Sequence, residues 1–178
     1  METTHWPEAL TKFGIEDPLE PAKAAPRMRR SLRQAAPFLD TAAPPVQSVE
    51  DFTIPGPAGE IPARLYVPQG SKSPAPLCFF THGGGYVIGD LETHDRLCTR
   101  MAAKSGARVL AIDYRLAPEH MFPAGVEDAL AAFDWLLSAE GQARTGSDPE
   151  RIAVAGDSAG GGLAAMLGQQ RRDKIRFQ

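Results

Sequence analysis

Little in this chain supports a disulfide scaffold, a membrane span or a polyanion-binding surface. Two cysteines in 178 residues are too few for the cross-linked framework of a small secreted domain. Cys78 falls in an expected strand and Cys98 in an expected helix, which reads as two buried, reduced thiols. No charge-poor apolar run reaches the roughly 20 residues that cross a bilayer. Residues 1–8 lack the basic start and apolar stretch of a secretory signal. A net charge of −3, with a pI near 5.8, gives no general attraction to nucleic acid. Histidine is scarce as well, limited to His5, His82, His94 and His120. The expectation is a cytoplasmic protein without nucleic-acid partner, membrane span, metal or cofactor.

Glycine is plentiful, and two glycine clusters carry the chemistry. Gly156-Asp157-Ser158-Ala159-Gly160-Gly161 fits Gly-x-Ser-x-Gly, which places a serine on a sharp turn between a strand and a helix. His82-Gly83-Gly84-Gly85 fits the loop whose backbone N–H groups receive a developing oxyanion. The first pattern alone arises by chance in roughly one chain in twenty of this length, given the usual glycine and serine frequencies. Its context is stronger evidence. Residues 151–155 form a short apolar run that reads as a buried strand, and a helical pattern follows Ser158. A phosphate-binding turn is the competing reading. It is disfavoured because Gly-Lys-Ser/Thr is absent and Asp157 would repel an anion.

The chain divides near Pro44-Pro45. Residues 1–45 read as a helical, proline-punctuated segment with Met28, Leu32, Ala35, Ala36 and Leu39 on one apolar stripe. Arg27, Arg29, Arg30 and Arg33 then form an outer, solvated face. Residues 46–178 read as a mostly parallel α/β unit. Residues 49–54 and 61–67 are expected strands joined by a longer loop through Pro55 to Gly59, with Pro62 suited to an edge strand. Strands at 77–80, 109–112 and 151–155 alternate with helices at 92–104, 124–139 and after Ser158. Val126, Leu130, Phe133 and Leu137 share one face of the helix at 124–139. Residues 174–178 resemble the start of a further strand. An unpaired edge there would favour self-association, which leaves a homo-oligomer open. His82, Asp113 and Ser158 all fall at carboxyl ends of parallel strands, where open α/β sheets place their sites.

The chain resembles the hormone-sensitive lipase-like esterases of the α/β-hydrolase fold. Three runs carry the resemblance: residues 82–90, beginning His82-Gly83-Gly84-Gly85-Tyr86; residues 113–120, Asp113-Tyr114-Arg115-Leu116-Ala117-Pro118-Glu119-His120; and residues 156–161. It departs at Met121, where proline is frequent, and at Gly162, where asparagine is frequent. The resemblance implies that Ser158 is the nucleophile and that the N–H groups of Gly83, Gly84 and Ala159 form the oxyanion hole. It implies that the N-terminal helical segment is a cap over the acyl pocket, with Phe13 and Phe38 either lining that pocket or packing. Asp113, Arg115 and Glu119 look structural. The substrate would be a small, short-acyl ester.

The triad's Asp and His follow the serine in this arrangement, yet only residues 159–178 remain. Half a site is therefore expected. His5 and His94 read as surface or packing residues, and His120 as holding its loop. His82 is the rival base, but shaping the glycine loop is the preferred role. Three functions stay open: a serine carboxylic ester hydrolase or its N-terminal part, a non-catalytic small-molecule-binding protein of the same fold as the plant gibberellin receptors resemble, and a non-functional truncated product.

Overall fold

The computed structural model describes residues 21–178. His5 and Phe13 lie outside them. Five strands and five helices follow in chain order: α1 (Pro21–Leu39), β1 (Ser48–Gly56), β2 (Gly59–Val67), β3 (Ala75–Thr81), α2 (Asp95–Ser105), β4 (Arg108–Ile112), α3 (Ala124–Leu137), α4 (Ala139–Thr145), β5 (Ser147–Gly156) and α5 (Ser158–Gln170). The sheet order is β1-β2-β4-β3-β5, with β3 parallel to both β4 and β5 and the first two strands antiparallel. The sheet is mixed, half of its pairings being parallel.

Side-chain alternation gives the sheet two cores. Leu65, Leu77, Phe79, Leu110, Ile112, Ile152 and Val154 face one side, where Ala129, Ala132, Phe133 and Leu136 of α3 and Leu163, Ala164 and Leu167 of α5 cover them. Tyr66, Phe80, Val109 and Ala111 face the other side, against Cys98 and Ala102 of α2. Every residue of β4 is buried, the burial expected of a strand with both sheet faces covered. Both cysteines are free; burial raises the Cys78 thiol to about 11 and pushes the Cys98 thiol up further.

Several expectations are corrected. The first hairpin is tight: Gly56 pairs with Gly59, so Pro57-Ala58 is a two-residue turn. Pro62 sits not on an edge strand but between β1 and β4. Its carbonyl accepts the Asp113 N–H at 2.8 Å just beyond the last registered pair, Ala63 with Ile112. The missing N–H thus falls where the ladder ends and costs no interior bond. The long helix breaks at Ser138, whose hydroxyl accepts the Gly141 N–H at 3.1 Å and starts α4. On α3 the expected Phe133 is fully buried and Val126, Leu130 and Leu137 pack half-buried against the same core, with Ala129, Ala132 and Leu136 added to the buried face.

The largest correction concerns α1. Its apolar residues Met28, Phe38 and Leu39 are exposed, the last two at 90% and 73%. Arg29 and Arg33, expected outward, instead donate into the loops that follow β3 and β4. Those loops offer carbonyls and carboxylates, so the helix docks through hydrogen bonds as well as through part of its apolar stripe, where Leu32, Ala35 and Ala36 are half-buried and Met28 and Leu39 are exposed.

Residues beyond α5 turn back toward the sheet. Val154 donates to the Phe177 carbonyl at 3.0 Å and Arg176 to that of Ile152 at 2.8 Å, a parallel bridge beside β5. A strip of sheet between α2 and Phe177 remains open as an apolar groove of about 610 Å³.

Candidate active site

Ser158 stands where β5 ends and α5 begins, with φ at 49°. An L side chain seldom occupies this left-handed region, and such strain collects at functional sites. Two glycines permit the turn by close approach. A Cβ on Gly160 would lie 1.9 Å from the Thr81 carbonyl oxygen, and one on Gly156 2.4 Å from the Gly160 backbone. The turn is thus pressed against the end of β3, and the Thr81 hydroxyl donates to the Gly160 carbonyl at 2.8 Å. The first bond within α5 runs from the Gly161 N–H to the Asp157 carbonyl. The N–H groups of Ser158, Ala159 and Gly160 therefore sit at the positive end of the helix without intrahelical acceptors.

The glycine loop approaches this turn from β3. Gly83 donates its N–H to Asp157 Oδ1 at 2.8 Å, so one expected oxyanion donor is already engaged. A Cβ on Gly83 would fall 2.1 Å from Asp157 Oδ2, which explains the glycine there. The loop then turns back, with the Val87 and Ile88 N–H groups both donating to the Gly84 carbonyl. Gly84 has φ at 125° and no room for a side chain, since a Cβ would meet the Ile88 carbonyl at 2.0 Å. Among the described residues, the N–H groups of Gly84 and Gly85 have no acceptor. Tyr86 next to them also has positive φ, at 63°.

His82 is buried at the end of β3. Its Nδ1 lies 2.8 Å from the Gly83 carbonyl, which can only accept, so that nitrogen carries the proton. Its Nε2 has no hydrogen-bond partner and lies 3.6 Å from Asp113 Oδ1. The ring stacks on Tyr114 at 4.4 Å, and the Tyr114 hydroxyl donates to the His82 carbonyl at 2.7 Å. Burial holds that phenol well above its ordinary pKa. Among the described residues, none hydrogen-bonds the Ser158 hydroxyl.

The strand-end loop at 113–120 is tied as expected. Arg115 grips the buried Asp128 through its backbone N–H, Nε and Nη2 at 2.8–3.0 Å. Glu119 binds Arg29, whose guanidinium holds the carboxyl below its usual range. Three residues outside the sequence-based set matter here: Asp157, Tyr114 and His94. His94, expected at the surface or in packing, places Nε2 3.3 Å from Asp157 Oδ1. The one signal in the sequence was the acidic residue beside the serine, read there only as repelling anions. No group of three or more His, Cys, Asp or Glu side chains among the described residues is arranged to hold a metal.

A family model described as the alpha/beta hydrolase fold matches residues 78–178, more than half of the chain. The chain belongs to that family. It is 54% identical over 130 residues to the carboxylic ester hydrolase LipN of Mycobacterium tuberculosis, covering 73% of this chain and 34% of that protein. It is 40% identical over 163 residues to the carboxylesterase NlhH of the same organism, covering 90% and 48%. Among solved structures, the Pyrobaculum calidifontis esterase superposes with a TM-score of 0.78 at 46% identity, over 84% of this chain and 48% of that one. An ester hydrolase from the Lake Arreo metagenome, complexed with a bipyridine phosphonate derivative, gives 0.79 at 39% identity, over 93% and 52%. The chain spans about a third to a half of the length of these relatives. The resemblance to hormone-sensitive lipase-like esterases stands.

Proposed function

We propose that this chain forms the nucleophile and oxyanion half of a serine carboxylic ester hydrolase. The strained backbone of Ser158, facing a glycine loop with unfilled N–H groups, carries the reading. Ser158 Oγ attacks the ester carbonyl and the alcohol leaves, giving an acyl-enzyme that water then hydrolyses. Gly84 and Ala159 donate to the oxyanion. Gly85 replaces Gly83 as the further donor, because the Gly83 N–H is held by Asp157. Residues 1–45 act as a cap, and residues 46–178 as the first part of the catalytic core. His82 shapes the loop through its bond to Gly83. The general base and its acid come from outside the described residues, in keeping with relatives about twice as long.

The substrate is a small ester of short acyl chain. An apolar cavity of about 370 Å³, lined by Tyr86, Met121, Phe122, Pro123 and Val126, adjoins the loop and can take its apolar part. No helix among the described residues is long and apolar enough to cross a membrane. A cytoplasmic location, and the choice between monomer and homo-oligomer, belong to the same proposal.

A fluorophosphonate probe tests the nucleophile. Labelling is expected at Ser158 alone and is lost in Ser158→Ala. Persistent labelling of that variant removes the assignment.

A further inference from the structure

We infer that Arg29, on the N-terminal helix α1, is a positioning residue for the oxyanion loop. The inference rests on the proposed role of that loop. Arg29 holds two separate loops at once, the one after β3 and the one after β4. Its Nε donates to the Val87 carbonyl at 2.7 Å, its Nη2 to the Ala117 carbonyl at 2.8 Å, and its two Nη atoms to the Glu119 carboxylate at 2.9 and 2.7 Å. Val87 is the far corner of the turn closed on the Gly84 carbonyl, and the Ala117 N–H donates to the Tyr86 carbonyl at 2.8 Å. The two backbone contacts of Arg29 therefore bracket Tyr86, which joins Gly85 to Val87.

The loop needs such a hold. Gly84, Gly85 and Tyr86 have φ at 125°, 63° and 63°, three consecutive residues in the left-handed half of backbone space. The side chain of Tyr86 makes its conformation one that a released chain would leave. Arg33 adds a second tether from the same helix to Asp90, whose other carboxylate oxygen accepts the Thr93 N–H at 2.8 Å. Burial alone would raise the Asp90 pKa, but Arg33 and the Thr93 N–H outweigh it and the carboxyl is held below its usual range. Acceptors in three directions suit the planar five-donor fork of arginine and not the single ammonium of lysine.

Arg100 supplies the control. It ties the end of the N-terminal segment to α2 through Asp40 Oδ1 at 2.7 Å and the Thr41 carbonyl at 2.8 Å, with no contact to the glycine loop. A helix that only roofs the site would respond alike to either loss.

The experiment compares Arg29→Ala, Arg29→Lys, Arg100→Ala and Gly84→Ala in the purified protein carrying this chain. It reads ester turnover as kcat and KM, with amide hydrogen exchange at residues 84–88. Arg29→Ala should lower kcat by up to about 100-fold, the cost of misplacing catalytic groups by about 1 Å, with KM changed less than about threefold. Exchange at Val87 and Ile88 should quicken, Arg29→Lys should not rescue either readout, and Arg100→Ala should move neither. An Arg29→Ala protein with unchanged kcat, where Gly84→Ala abolishes turnover, overturns the positioning role. Equal loss in Arg29→Ala and Arg100→Ala overturns it in favour of general undocking. Turnover untouched by Gly84→Ala instead removes the oxyanion reading itself. If Arg29→Ala does not fold, Arg29→Lys decides through the same exchange signal: unchanged exchange at 86–88 overturns the inference.

Discussion

The serine turn and the glycine loop lie side by side, and different forces hold them. The serine turn is fixed by contact. Gly156 and Gly160 bring three backbone segments within van der Waals reach, so that no added atom fits. The glycine loop is fixed by polar tethers from afar. Asp157 holds the Gly83 N–H, Tyr114 holds the His82 carbonyl, and Arg29 holds Val87. Gly83 and Gly84 are likewise too crowded for a Cβ, but the loop depends in addition on side chains 74 residues away in sequence at Asp157 and 58 at Arg29. The turn should therefore fail all at once under substitution, whereas the loop should loosen by degrees.

The largest effect is expected at the turn. Gly160→Ala drives a methyl into the Thr81 carbonyl and should cost at least about 3 kcal/mol, the upper range for an overpacked core, or prevent folding. Urea denaturation measures it. A folded variant with native stability would end the contact account. Asp157→Ala comes next. It removes a charge-assisted bond to the loop, which should cost about 1.5–3 kcal/mol and lower turnover about tenfold. Amide exchange that stays slow at residues 83–88 would show that the tether does not govern the loop.

Tyr114→Phe removes a single buried bond to the His82 carbonyl, expected at about 1 kcal/mol in unfolding free energy. No change in stability would take Tyr114 out of the set of tethers. Ser158→Gly should act in the opposite sense. Relief of the left-handed strain should leave it about 1 kcal/mol more stable than Ser158→Ala, while abolishing turnover. Equal stability of the two variants would show the turn to be unstrained.

Acid gives the mildest contrast. Asp90 has a depressed pKa in the folded protein, so its tether to Arg33 contributes fully above the ordinary aspartate value of about 3.9. That contribution is lost as pH falls through the depressed value. Exchange at residues 84–93 should be constant from pH 7 to about 4, after correction for intrinsic rates, and quicken below it ahead of the turn at 156–162. Simultaneous loosening of both would break the distinction.

These contrasts match what could be read from the residues. Gly156, Ser158 and Gly160 were legible because a close backbone approach admits only glycine, and a strand-to-helix pattern surrounds them. Buried strands such as 109–112 were legible because continuous apolar runs suit a sheet covered on both faces. The roles of Arg29 and Asp157 were not legible. A surface arginine on a helical period and an acid at a variable motif position look alike whether solvated or engaged. The α1 stripe was legible only in part, with Leu32, Ala35 and Ala36 half-buried and Met28 and Leu39 exposed, since periodicity finds an apolar face without saying what it meets.

The sequence by itself determined the α/β order, the serine turn and the membership of the glycine loop in one sheet edge, because each depends on local backbone sterics and on the period of burial. Only the tertiary structure decided which N–H groups of the glycine loop remain without an acceptor, where Pro62 sits in the sheet, and what the arginines of α1 bind. Those outcomes depend on hydrogen-bond partners far apart in the chain, and a donor shows itself as free or engaged only when the fold brings its acceptor within reach.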